Sequence, residues 1–310
     1  MMSLEASGGI AGSKVPDPMH PHPRLLSLMV LLVICGACAS NSGAKSHAPL
    51  EGTPSEHPYV LGGKLDSGNI YPNTVLLTLP SNGSAIATCS GVLISPRRVL
   101  TAAHCVCMEK PWVLEAGEPG TLIDGSMCLD RLTVQTVLYG QPGSPRDYVG
   151  IKVEPHPGLR LLYDGNGALV SAESDLAVIH LENAVQGVRS VELARKTVAV
   201  GRRVVLVGFG YADMRKKKIG DRHFGRTEIA RVEGEVLTVT QPGVHAYEGD
   251  SGGPCFEWPR GGKSPLLVGV NRGGSAPVYS AFTSTVFPRN REWLERIIRE
   301  DTQADAPGAP

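Results

Sequence analysis

Three side chains could together do covalent chemistry: Ser251 in "YEGDSGGPCF", His104 in "VLTAAHC" and Asp175 in "SDLAVIHL". A serine hydroxyl is a poor nucleophile until a histidine takes its proton and an acid orients that histidine. These types supply each part, and the chemistry would be attack on a substrate carbonyl. Separately, each has a plainer reading. Glycine clusters make turns, a lone histidine is more often a surface or satisfied core residue, and aspartate before a strand is a common turn former. The stretch Gly249-Asp250-Ser251-Gly252-Gly253 also satisfies the G-x-S-x-G string of an esterase elbow. That elbow needs strands alternating with helices and a histidine after the serine, and the sequence offers neither.

Residues so far apart must be brought together by many short elements. From Val60 onward β-like runs recur, among them "TVLLTL", "GVLIS", "LTVQTVLY", "VVLVGFG", "EVLTVT" and "LLVGV". Turn residues separate them at intervals typical of a sandwich or barrel, and 37 glycines and 24 prolines suit such a chain. One helix is predicted near the end. Asn290 would cap it, with Glu292 in its first turn and Trp293/Ile297 and Leu294/Ile298 as apolar i, i+4 pairs. Residues 300–310 read as a frayed tail.

The 310 residues carry 30 basic and 30 acidic side chains, a balance that gives no reason to expect a nucleic-acid partner or an anionic membrane surface. A hydrophobic content of 42% is enough for a sizeable core. Residues 1–39 read as a leader and secretory signal: "LLSLMVLLVI" follows Arg24 and precedes the small residues of "CGACAS". A start at Met19 would give a signal of more ordinary length. Cleavage after Ala39 would release Ser40; alternatively, Gly36-Ala37-Cys38 resembles a lipoprotein box, with Cys38 the candidate for lipidation. Both readings place the protein outside the cytoplasm, secreted or at the cell envelope (the periplasm or outer membrane if it is bacterial). Lipid on Cys38 would be its sole membrane attachment. Residues 40–59 have the composition of a linker or propeptide.

Cysteine use agrees with export. Outside the signal stand Cys89, Cys105, Cys107, Cys128 and Cys255, an odd number that leaves at least one thiol unpaired or intermolecular. Cys105-Val-Cys107 has the wrong spacing for a zinc knuckle and no second cluster completes one, so no metal or cofactor is expected.

Together, His104, Asp175 and Ser251 follow the chain order His, Asp, Ser, and the sequence resembles the trypsin/chymotrypsin family of serine proteases over residues 60–299. "TAAHC" (101–105) and "GDSGGP" (249–254) are its most specific motifs, supported by "VLGG" (60–63), "CSGVLIS" (89–95), "EPHPG" (154–158) and "GFG" (208–210). The resemblance implies an all-β fold: two antiparallel six-stranded Greek-key β-barrels with the active site between them, and a short C-terminal helix. It implies an exported serine endopeptidase acting on protein or peptide substrates through an acyl-enzyme. Ser251 would attack, His104 would serve as base and then acid, and Asp175 would hold the imidazole's tautomer. The N–H groups of Gly249 and Ser251 would form the oxyanion hole. An amine freed at Val60 would pair with Asp250 and switch the site on. The alternative is a catalytically silent homologue that binds a partner, although no triad or oxyanion residue is missing.

The sequence departs from the family at two places. Tyr59 precedes Val60 where Arg or Lys is usual, which leaves the activating protease unknown. The specificity pocket, matched to His245, Ala246, Gly274 and Ser280, lacks the acid that relatives cleaving after Arg or Lys carry at the place of His245. Tyr247 replaces a cysteine, and Arg272-Gly273 stands in an atypical "VNRGG". The resemblance pairs Cys89 with Cys105, leaving Cys107 with Cys128 to bridge an inserted loop and Cys255 as a buried thiol. Arg215–Lys218 reads as a solvated basic loop.

Overall fold

The computed structural model of the chain describes residues 60, 63–80, 87–115, 117–210, 220–240, 244–259, 261–262, 264–275 and 278–304. The leader with Cys38, the linker with Tyr59, and the basic run 215–218 lie outside the described residues.

In chain order the elements are β1 (Lys64–Leu65), β2 (Thr74–Leu79), β3 (Ala87–Ser95), β4 (Arg98–Thr101), α1 (Ala103–Val106), β5 (Lys110–Val113), β6 (Pro119–Ile123), β7 (Leu132–Thr136) and β8 (Arg146–Pro155). There follow β9 (Arg160–Asp164), β10 (Leu169–Glu173), β11 (Ala177–Leu181), β12 (Glu192–Leu193), β13 (Arg203–Gly208), β14 (His223–Glu233), β15 (Val236–Thr240), β16 (Pro254–Glu257), β17 (Leu266–Ser275), β18 (Tyr279–Ser284) and α2 (Pro288–Ala304).

Strands β2, β3, β4, β7, β8 and β11 close one six-stranded antiparallel barrel. Strands β13 to β18 form a second, closed where β15 pairs with both β14 and β18. The strand order is the same in both: the first strand pairs with the fourth, and the third with the sixth. Alternation along each strand makes closure favourable. In β14, His223, Gly225, Thr227 and Ile229 face inward while Arg226, Glu228 and Ala230 face out. Val75, Leu77, Val92, Leu100, Val134 and Ile179 fill the first barrel, and Val204, Leu206, Leu237, Val239, Val268 and Phe282 the second.

The segment expected to be an inserted loop is structured. Its strands β5 and β6 form a hairpin, which pairs with hairpin β9–β10 to make a separate four-stranded sheet. The Arg160 guanidinium lies 5.3 Å from the centre of the Trp112 ring, linking the two hairpins by a cation–π contact. Disulfides join Cys89 to Cys105 and Cys107 to Cys128, and Cys255 is a buried free thiol.

Two expectations about the C-terminal helix change. It starts at Pro288, whose missing N–H costs nothing in a first turn, so Asn290 is not the cap. Asn290 instead donates from Nδ2 to the Ser284 carbonyl (2.9 Å) and to Glu235 (3.2 Å). The helix also continues past residue 300 to Ala304, because Asp301 is buried and pairs with Arg98 at 2.8 Å. Trp293, Leu294 and Ile297 pack on the first barrel as the apolar stripe requires.

Candidate active site

Strand β4 runs into α1, a single turn that carries His104 and is clamped to β3 by the Cys89–Cys105 bond. Asp175 precedes β11, which pairs with β4. The pairing brings the two side chains together: Asp175 Oδ2 lies 2.7 Å from His104 Nδ1, and Oδ1 accepts the His104 backbone N–H at 3.0 Å. The carboxylate thus fixes both the ring and the turn that bears it. Burial opposes the imidazolium, but attraction to Asp175 and their hydrogen bond outweigh it and hold His104 above the ordinary histidine range. Burial likewise opposes ionisation of Asp175, and His104 overcomes it, keeping the carboxyl below its usual range.

Ser251 lies on a turn of the second barrel that is stitched to the first. Its carbonyl accepts the Ser90 N–H at 2.7 Å. On the other side, Gly252 N–H donates to the Asn271 carbonyl and Asn271 N–H to the Gly253 carbonyl, both at 2.8 Å. A Cβ at Gly252 would lie 2.1 Å from Thr101 Oγ1, so the turn presses directly on the strand leading to His104. Among the described residues, no hydrogen bond joins Ser251 Oγ to His104 Nε2.

Gly249 sits at φ +90°, where a side chain is strained, and a Cβ there would come within 2.9 Å of Gly210. The Asp250 carboxylate is buried and accepts N–H bonds from Gly210 (2.8 Å) and Tyr247 (2.9 Å). The "GFG" motif makes room for it, since a Cβ at Gly208 or Gly210 would collide with that carboxylate. With no cation beside it among the described residues, burial pushes Asp250 up to about 6, even though those two N–H bonds favour the charged form. Val60 is buried and lies in the same packed region as Asp250, Ala246 and Asn271.

The residues matched to the pocket also converge. Ala246 N–H donates to Ser280 Oγ at 2.9 Å, and Ser280 lies opposite Gly274 in the β17–β18 ladder. His245, beside Ala246, is fully buried, its two ring nitrogens have no hydrogen-bond partner among the described residues, and burial holds it below the usual histidine range.

A family model described as Trypsin matches residues 60–289. The chain belongs to the trypsin family. It is 24% identical over 278 residues to rat submandibular glandular kallikrein-9, covering 83% of this chain and 96% of that one. It is 30% identical over 270 residues to the CLIP domain-containing serine protease B10 of Anopheles gambiae, covering 77% of this chain and 70% of the relative. The solved structure of neuropsin, a serine protease of mouse brain, superposes with a TM-score of 0.52 at 20% identity, covering 74% of this chain and 95% of neuropsin.

Within this trypsin-family frame, sequence reasoning missed two groups around the site and gave a third no role. Ser90 Oγ accepts the Phe209 N–H and donates to the Gly249 carbonyl at 2.8 Å, fixing the peptide that follows Gly249. Ser90 lies inside the quoted "CSGVLIS", but nothing local marks its hydroxyl. Buried Glu235 accepts the Ser174 N–H at 2.6 Å, and Ser174 holds φ +46° directly before Asp175. Arg289 and Asn290 complete this network on Glu235. The third is Arg272, flagged above as atypical, whose charge lowers the proton affinity of both His104 and Asp175.

Proposed function

We propose that this trypsin-family chain is an exported serine endopeptidase. One arrangement carries the reading: the His104–Asp175 pair, with Ser251 on a turn bonded to both barrels beside it. His104 Nε2 takes the Ser251 proton as Oγ attacks the peptide carbonyl, and Asp175 stabilises the imidazolium. The N–H groups of Gly249 and Ser251 receive the oxyanion, and removing one such donor lowers the rate by roughly a hundredfold or more. His104 then protonates the leaving amine, and water completes hydrolysis of the acyl-enzyme.

Activation in this reading frees the Val60 amine, which pairs with Asp250. Val60 is already buried in the region of Asp250, and its φ of +31° is unfavourable for a β-branched residue, so cleavage relieves strain there. The pocket takes polar or acidic side chains in preference to Arg or Lys, since no carboxylate occupies the place of His245. Two disulfides and the apolar leader support export.

The silent-homologue reading draws on one observation, the missing Ser251–His104 hydrogen bond, although such bonds are often long before substrate binds. The test has two parts. N-terminal sequencing of the mature protein should find Val60, and a fluorophosphonate probe should label Ser251. Mature protein that begins at Val60 and takes no label would establish the binding module instead.

A further inference from the structure

Arg272 lies on the strand that both closes the nucleophile turn and forms one side of the pocket. On one side of it, Asn271 makes the two 2.8 Å bonds to Gly252 and Gly253; on the other, Gly274 faces Ser280. Between them the strand bulges. Asn271 pairs with Phe282 and Gly273 with Ala281, so Arg272 is the extra residue with no partner opposite. Gly273 at φ +117° and the bond from its N–H to Asn271 Oδ1 (3.2 Å) complete the bulge. A bulge beside a site redirects the side chain of its extra residue.

Arg272 is half-buried, with one guanidinium nitrogen turned out of solvent. Its Nη1 is buried without a hydrogen-bond partner among the described residues, and its charge acts on His104, Asp175 and Tyr163. Tyr163 belongs to β9 of the additional sheet, and it feels the charges of both Asp175 and Arg272. No carboxylate among the described residues pairs with Arg272. Both oxygens of Asp175 are taken by His104, and Glu109 accepts from Thr121 Oγ1 at 2.7 Å. A buried guanidinium nitrogen with no acceptor is costly, and a bidentate carboxylate is the group that best satisfies it.

Building on the peptidase reading, we infer that Arg272 is a specificity residue that receives a substrate carboxylate. The carboxylate comes from Asp or Glu at one of the two positions preceding the residue held in the pocket. The side follows from the strand: Asn271 is bonded to the Ser251 turn, where the scissile bond would lie, and Arg272 to Gly274 run on from it, away from the nucleophile. A peptide lying along β17 therefore brings its preceding residues to the guanidinium. The preferred substrate is an acidic peptide, whatever the pocket selects.

The test compares peptides carrying Asp, Glu, Asn or Gln at those two positions, with one neutral residue in the pocket position. Mature wild-type protein should favour acid over amide about tenfold in kcat/KM, mainly through KM. Arg272→Gln should bring that ratio to about one, and Arg272→Lys should keep part of it. Arg272→Met is the second uncharged variant if the amide variant does not fold, with fluorophosphonate labelling of Ser251 as the check on folding. An acid-to-amide ratio unchanged by removal of the charge, or a wild-type ratio near one, overturns the inference. If no peptide is cleaved, anisotropy of fluorescein-labelled acidic and amide peptides reads the same ratio. The label thus tests the peptidase reading, and the ratio tests the acidic subsite.

Discussion

Ser251 and His104 act as a unit in the proposed mechanism, so Ser251→Ala and His104→Ala should each abolish peptide hydrolysis, with the double variant little worse. Label persisting in Ser251→Ala would remove Ser251 as the nucleophile. Glu235 acts through another residue, holding Ser174 at φ +46° so that Asp175 meets the backbone N–H and Nδ1 of His104. Glu235→Gln should lower kcat roughly tenfold to a hundredfold while leaving KM nearly unchanged, and Glu235→Asp should recover part of the loss. Equal effects on kcat and KM, or no recovery, would show that Glu235 merely supports the fold. His104, Asp175 and Ser251 were readable because their motifs are local strings. Glu235 and Ser90 were not, because their roles depend on hydrogen bonds to Ser174 and Gly249, 61 and 159 positions away.

At the scale of elements, the "GFG" and "GDSGGP" strings were legible for a packing reason: Gly208 and Gly210 leave space for the Asp250 carboxylate. The alternation of the barrel strands was legible too, but their number came from the family resemblance, since pairings such as β4 with β11 have no local signature. The additional sheet was invisible for the same reason. Hairpin β5–β6 sits between Cys107 and Cys128, and its partner hairpin comes after Leu159, with two barrel strands between them in sequence. Cys107–Cys128 closes the base of the first hairpin across 21 positions. Replacing both cysteines by serine should lower stability by about 3 kcal/mol, on a loop-entropy argument. Thermal unfolding would show a reduced Tm while fluorophosphonate labelling persists, because the His104 turn keeps its own disulfide. Loss of labelling together with Tm would mean that the sheet holds the catalytic geometry itself. Peptide mapping should find Cys255 unlinked, as burial pushes its thiol well above the usual range.

At the scale of the whole molecule, the two barrels share one strand order, and the Ser251 turn bonds to both. Asp250 underlies that turn and makes its stability depend on pH. While Val60 remains within the chain its nitrogen is an amide, and the folded Asp250 titrates at about 6, against roughly 3.9 when unfolded. Below pH 4 the group is protonated in both states and contributes no difference. As pH rises from 4 to 6 the unfolded chain releases its proton while the folded chain retains it, so stability falls by about 3 kcal/mol. Above 6 both states are ionised and the loss is complete. Asp250→Asn should remove this slope from the unprocessed chain, which thermal unfolding at intervals between pH 4 and 6 would measure against wild type. Cleavage before Val60 should reverse the sign. The new ammonium would hold the carboxyl below its ordinary range, so stability would rise as pH passes 4 and persist until the amine loses its proton. Identical slopes for wild type and Asp250→Asn in the unprocessed chain would show that Asp250 is not the group that titrates. A processed chain whose stability still falls between pH 4 and 6 would show that the Val60 amine does not reach Asp250.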